Sequence, residues 1–150
     1  MLHEGDKAPE FSTLDSTGQS VSLKDFKGKN VVLYFFPKAN TPGCTMETCD
    51  FRDEYGDIRK RAVILGMSGD PIKAQSSFST KYHVPFPLLC DEDKKILKAY
   101  GVWKEKSLYG RKFMGIERTT FIIDKNGIIK KIFPKVKVKG HVAEVIEALK

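Results

Sequence analysis

A chain of 150 residues that is 41% hydrophobic, 30% charged and 11% aromatic buries about two thirds of the surface its unfolded form exposes. That composition excludes disorder and fibrous repeats. With 26 Lys and Arg against 19 Asp and Glu the net charge is +7, which favours acidic surfaces and nucleic acid. The cations are nevertheless interleaved with acids, as in Asp50-Phe51-Arg52-Asp53-Glu54 and Asp91-Glu92-Asp93-Lys94-Lys95, and this scattering argues against a nucleic-acid partner. The longest apolar run, Val31 to Pro37, is seven residues, and Met1 to Asp6 lacks a basic region followed by an apolar stretch. Neither a membrane span nor export is expected, which places the protein in the cytoplasm.

Phe11 to Leu14 and Ser20 to Leu23 alternate weakly around the turn cluster Asp15-Ser16-Thr17-Gly18 and predict a small N-terminal hairpin. Val31 to Phe36 is β-branched and aromatic throughout, the pattern of a strand buried on both faces. After a Pro/Gly loop, Thr41 as cap and Pro42 at the first helical position predict a helix from Pro42 to about Ile58. Ala62 to Ser68 repeats the buried-strand pattern, and Asp70-Pro71 reads as a cap and an N1 proline opening a helix to about Tyr82. Asp91 is placed to cap a short helix through Tyr100, ended by Gly101. Thr119 to Ile123 and Ile128 to Phe133 are strands joined by Asp124-Lys125-Asn126-Gly127, where Asn-Gly supplies positive φ values. Lys135-Val136-Lys137-Val138-Lys139 alternates as a lysine-studded strand edge does, and His141 to Leu149 closes as an amphipathic helix. Tyr100, Trp103 and Tyr109 read as packing aromatics.

No repeat, linker or composition shift divides the chain, so one domain is expected over residues 1–150. Two βα units, an antiparallel hairpin and a last helix predict an α/β protein with a mixed central sheet flanked by helices. The element order resembles a thioredoxin-like core carrying an N-terminal β-hairpin extension.

The three cysteines, Cys44, Cys49 and Cys90, are too few for a disulfide scaffold. Cys44 falls in the first turn of the predicted helix, where backbone N–H groups lack partners and a thiolate is stabilised. The Cys44 to Cys49 spacing is too long for a redox Cys-x-x-Cys, and no second pair or nearby histidine completes a metal site. On an intact helix two residues five apart have Cα atoms ~8.6 Å apart, beyond the disulfide limit of about 6.8 Å. If these thiols bond to each other the helix must unwind; two unrelated thiols on one helix are the alternative. Cys90, beside Leu88-Leu89, reads as a buried thiol.

Pro37-Lys38-Ala39-Asn40-Thr41-Pro42-Gly43-Cys44 resembles the Pro-x-x-x-Thr-x-x-Cys signature of peroxiredoxins. Thr41-Pro42-Gly43-Cys44-Thr45 with a second cysteine at Cys49 is similar to the peroxiredoxin Q, or bacterioferritin comigratory protein, branch. The resemblance extends through Gly5 to Phe11, Tyr100 to Trp103 and Glu117 to Asp124, and departs at Cys90, where serine is expected. It implies a peroxidase in which the Cys44 thiolate attacks a hydroperoxide and becomes a sulfenic acid, with Cys49 as the resolving thiol. It further implies that Thr41 offers a hydroxyl to the thiolate or the peroxide, that Pro37 shields the site, that Arg118 sets a positive charge beside the sulfur, and that Glu47 orients Arg118. Taken singly, Thr41 reads more simply as a helix cap, Pro37 as a strand end, Arg118 as a surface charge and Glu47 as a solvated helix residue; it is their combination with the two-cysteine spacing that carries the resemblance.

The implied substrates are hydrogen peroxide and small organic hydroperoxides, and the implied reductant is thioredoxin or a similar dithiol protein. No cofactor or metal is implied, and the chain is expected as a monomer or weak homodimer. Two other readings stand beside this one. A thioredoxin-type disulfide reductase lacks its Cys-x-x-Cys, and a basic binding protein is supported by net charge alone.

Overall fold

The computed structural model describes residues 1–150. In chain order the elements are β1 (Ser12–Asp15), β2 (Ser20–Ser22), a 3-10 turn at Leu23–Phe26, β3 (Asn30–Phe35), α1 (Pro42–Asp53), α2 (Tyr55–Ile58), β4 (Ala62–Ser68), α3 (Ile72–Lys81), β5 (Leu88–Cys90), α4 (Lys95–Ala99), β6 (Trp103–Leu108), β7 (Arg111–Ile116), β8 (Thr119–Ile123), β9 (Ile129–Phe133) and α5 (His141–Leu149). Seven strands form one sheet in the order β2-β1-β5-β4-β3-β8-β9, while β6 and β7 pair only with each other. β3, β4 and β5 run parallel, as helical crossovers require, and the β1–β2 hairpin, β8 and β9 add antiparallel strands. The result is the mixed thioredoxin-like sheet that the element order predicts. No helix is long and apolar enough to cross a membrane.

Strand alternation divides the core into two layers. Val31, Leu33 and Phe35 of β3 face a layer completed by Leu65, Met67, Leu97, Tyr100 and Phe121. Val32, Tyr34 and Phe36 face the other, where Phe51 of α1, Phe78 of α3 and Val145 of α5 cover the sheet. Each fully buried aliphatic or aromatic side chain of this kind stabilises by roughly 1.5–3 kcal/mol. Tyr34 stacks on Phe51 with ring centroids 4.6 Å apart and shares a 2.9 Å hydrogen bond with Thr48, which fastens the middle of α1 to β3. Gly66 makes room for that tyrosine: a Cβ there would lie 2.8 Å from its ring.

Several sequence expectations are corrected. The helix expected to run to Ile58 breaks at Glu54 (φ −100°, ψ 5°), and the break turns Tyr55 onto Phe86. Asp70 does not cap α3; Pro71 holds that position, because the Asp70 carboxylate accepts from Ala39 N at 2.8 Å and Ser68 Oγ at 2.6 Å. Asp91 accepts from Leu97 N at 2.8 Å, yet α4 starts only at Lys95, after Lys94 in a left-handed conformation. Of the Asn126-Gly127 pair only Gly127 has positive φ, and Asp124 closes the turn by accepting from Asn126 N and Ile128 N.

The Lys135 to Lys139 run is an irregular loop rather than a strand edge, held by Val136 N donating to the Arg118 carbonyl at 2.9 Å. Tyr109 is not a packing residue: it is 96% exposed at the tip of the β6–β7 hairpin, where it and Gly110 both take positive φ. Tyr100 is buried, and Trp103 is half-buried beneath Lys94.

Candidate active site

The site forms where the chain leaves β3. β8 runs antiparallel to β3 with Phe35 opposite Thr119, so the residue preceding β8, Arg118, stands beside the end of β3 where the loop to α1 departs. The loop is pinned by the Asp70 bond to Ala39 N, and it turns through Asn40 at φ 63°, a conformation that Asn tolerates better than most residues. Pro37 follows β3 and is half-buried. Thr41 occupies the N-cap position but makes no side-chain cap, since its hydroxyl donates to the Lys38 carbonyl at 2.7 Å. No protein group accepts from the N–H groups of Gly43 and Cys44, which leaves the positive end of α1 open at the sulfur.

Cys44 is buried. Arg118 Nη2 lies 3.4 Å from Cys44 Sγ, and Arg118 Nη1 lies 2.7 Å from Glu47 Oε1. The guanidinium thus bridges the thiol and the carboxylate with its two ends, a geometry that its planar fork allows and a lysine does not. The approach is possible because residue 43 is glycine: a Cβ there would lie 3.1 Å from Arg118 Nη2. Glu47 is not solvated; it is completely enclosed, and its Oε2 has no hydrogen-bond partner. Burial pushes the Glu47 carboxyl up to about 7, against the pull of Arg118. Burial also opposes the Arg118 charge, but Glu47 and Cys44 outweigh it and hold the guanidinium above its ordinary range.

Cys49 lies on the same helix, half-buried, about 140° around it from Cys44. Burial raises its thiol above the ordinary range, with Arg52 opposing. Cys90 ends β5 on the far side of the sheet order from β8, and burial, followed by Glu92, pushes it up to about 12. Of the residues singled out in the sequence, Cys44, Arg118 and Glu47 are brought into direct contact. Thr41 holds the N-cap position three residues before Cys44, Pro37 lies in the loop between β3 and that helix, and Cys49 stands apart along α1.

Residues 4–132 match the model of the AhpC/TSA family. The chain belongs to the peroxiredoxins, in their Bcp/PrxQ branch. It is 51% identical over 149 residues to the putative peroxiredoxin bcp of Coxiella burnetii, covering 99% of each chain. With peroxiredoxin Bcp of Bacillus subtilis the identity is 48% over 147 residues, 97% of this chain and 94% of that one. Among solved structures, a cysteine-to-serine mutant of Xylella fastidiosa PrxQ superposes with a TM-score of 0.94 at 35% identity, over 99% of this chain and 96% of the other. The Xanthomonas campestris bacterioferritin comigratory protein superposes at 0.89 and 39% identity, over 93% and 89%. As a peroxiredoxin the protein is a thiol peroxidase that reduces peroxides.

Sequence reading missed two contributors to this peroxiredoxin site. Gly43 admits the guanidinium, a role invisible without Arg118 in place. Lys106 on β6 carries a second charge that feels the site: burial first and then the Arg118 charge push it down, while Glu117 and Cys44 pull it up. It sits in a hairpin whose strands are largely exposed on both faces, so no alternation marked them.

Proposed function

We propose that Cys44 is the peroxidatic nucleophile of a two-cysteine cycle confined to one chain. The observation that carries this reading is the 3.4 Å contact between Arg118 Nη2 and Cys44 Sγ, at a helix end whose amides are free. The Cys44 thiolate attacks the nearer peroxide oxygen and the O–O bond breaks. The leaving oxygen takes a proton and departs as water or an alcohol, and Cys44 becomes a sulfenic acid. Negative charge that develops on the peroxide oxygens meets the guanidinium and the free N–H groups of the first turn, which are already oriented. Thr41, its proton committed to Lys38, presents oxygen lone pairs to the hydroperoxide proton, and Pro37 limits water at the entrance. Glu47 holds the guanidinium in place.

Cys49 then attacks the sulfenic sulfur, water leaves, and a Cys44–Cys49 disulfide results. A dithiol protein of the thioredoxin type reduces it by exchange and is itself oxidised. Hydrogen peroxide and organic hydroperoxides are the substrates; alkyl peroxide reduction by the Xanthomonas campestris relative supports the organic class. The cycle needs no second chain, which suits a monomer or weak homodimer.

Thiol titration before and after one equivalent of peroxide tests the reading. The parent loses two thiols and keeps Cys90. Cys44→Ser loses none and has no peroxidase activity. Cys49→Ser turns over once and stops as a sulfenic acid open to overoxidation. Normal cycling by Cys49→Ser would transfer the resolving role to Cys90 or to a second chain.

A further inference from the structure

Basic residues that are scattered in the sequence are gathered in the fold. Three shallow hollows adjoin one another at the end of the sheet where β3 and β4 begin. Lys24, Lys27, Lys29 and Lys125 line the first, over a floor of Leu23, Phe26, Val31 and Ile123. Lys29 and Lys125 continue into the second, which Arg59, Lys60 and Arg61 complete; Lys60 and Arg61 open into the third. Two bonds draw these segments together: Gly28 N donates to the Lys125 carbonyl at 3.1 Å, and Asn30 Nδ2 donates to the Arg61 carbonyl at 3.2 Å.

None of these seven cations forms an ion pair. Glu10, Asp57 and Asp124 also line the hollows, but Asp124 already accepts from two backbone amides at 2.8 and 3.0 Å.

We propose that this band binds the phosphate backbone of duplex nucleic acid. It runs through three connected hollows, longer than a single phosphate needs, and its unpaired lysines and arginines are free to neutralise successive phosphates with release of counterions. Every exposed large apolar side chain, such as Tyr109 or Phe113, lies outside it. The band therefore has nothing to insert into a bilayer, and its only ring, Phe26, is a half-buried part of the floor of the first hollow rather than an exposed face for an unpaired base. The acids that argued against nucleic acid in the linear sequence, Asp50 to Glu54 and Asp91 to Asp93 among them, line none of the three hollows. Cys44 follows the other end of β3, a strand of six residues and so about 20 Å long. A duplex on the band leaves the peroxide site open.

The test is anisotropy of a short labelled duplex of mixed sequence, titrated with the full-length protein at about 100 mM salt and across a salt series. Lys27→Gln, Lys29→Gln, Lys60→Gln and Lys125→Gln combined form the band variant. Lys73→Gln, Lys81→Gln, Lys98→Gln and Lys130→Gln combined form a control of equal net charge. The band variant loses about tenfold or more in affinity, and its slope of log K against log salt shrinks by about 0.9 for each phosphate contact removed; the control stays close to the parent. Both retain the parent peroxidase rate, which establishes that they are folded, and the parent rate is unchanged with duplex bound. Equal losses in the two variants would reduce the effect to net charge and overturn the proposal. So would absence of binding by the parent, or capture through the band by anionic vesicles and not by duplex.

Discussion

Arg118 and Glu47, 71 positions apart in the chain, meet at 2.7 Å with Glu47 fully enclosed. The pair ties the strand that begins at Thr119 to the helix that carries Cys44, and its carboxylate is held in a place where ionisation is disfavoured. The carboxylate is shut off from bulk solvent and its Oε2 has no hydrogen-bond partner, and the single guanidinium offsets only part of the lost hydration.

The burial of Glu47 makes stability depend on pH. Its carboxyl stands at about 7 in the fold against 4.5 for the free group. The folded state therefore binds more protons between those values, and stability falls as pH rises through this window, by up to about 3 kcal/mol from this group. Chemical denaturation of the parent and of Glu47→Gln at pH values from below 4.5 to above 7 reads the effect. The difference between them should narrow or reverse as pH rises, and a constant difference would show that Glu47 titrates alike in the folded and unfolded chain.

Arg118→Met removes the positive charge and both donors while keeping a similar apolar stem. The second-order reaction with hydrogen peroxide should slow by roughly 10²- to 10³-fold, the usual effect of losing a charge-stabilising donor. The deficit should persist at alkaline pH. Arg118→Lys should recover only a small part, because one ammonium cannot reach sulfur and Glu47 together. A stopped-flow rate for Arg118→Met within about threefold of the parent would remove Arg118 from the reaction.

Gly43→Ala separates stability from chemistry. A helical alanine gains about 0.5–1 kcal/mol over glycine, but its Cβ would stand 3.1 Å from Arg118 Nη2 and displace the guanidinium. The guanidinium must give way by a few tenths of an ångström, so the variant should melt close to the parent and react roughly three- to tenfold more slowly, misplacement by about 1 Å being enough for a hundredfold loss. A slow variant that also melts much lower would point to a folding defect instead.

The two proposed reactive thiols sit on one intact helix, ~8.6 Å apart at Cα against a disulfide limit of about 6.8 Å. Oxidation must unwind α1 between them, break the Tyr34 to Thr48 bond and uncover Phe51, which is completely buried in this state. Hydrogen exchange should therefore show protected amides from Thr45 to Asp50 in the reduced protein and fast exchange in the oxidised one. Equal protection in both forms would withdraw the resolving role from Cys49.

Local signals made much of this protein legible. The β-branched runs at Val31 to Phe36 and Ala62 to Ser68 could only be buried strands, Thr41-Pro42 opened a helix, and the spacing of Pro37, Thr41, Cys44 and Cys49 resembled one family. The misreadings fell where local preference met a competing demand. Asp70 could cap a helix but is recruited by Ala39 N and Ser68, and the lysine run from Lys135 has strand alternation but no strand to pair with.

The β6–β7 hairpin left no trace because alternation marks a strand only when one of its faces is buried. Sequence by itself determined the order of the elements apart from β5 and the β6–β7 hairpin, and its short motifs singled out Cys44, since both follow from side-chain type and short spacing. Only the tertiary structure decided that Glu47 is enclosed, that Gly43 admits a guanidinium, and that lysines from three distant segments share one surface. Those properties depend on strand order and register, which bring residues more than 70 positions apart to within 3.4 Å, and no local pattern encodes a distance across the sheet.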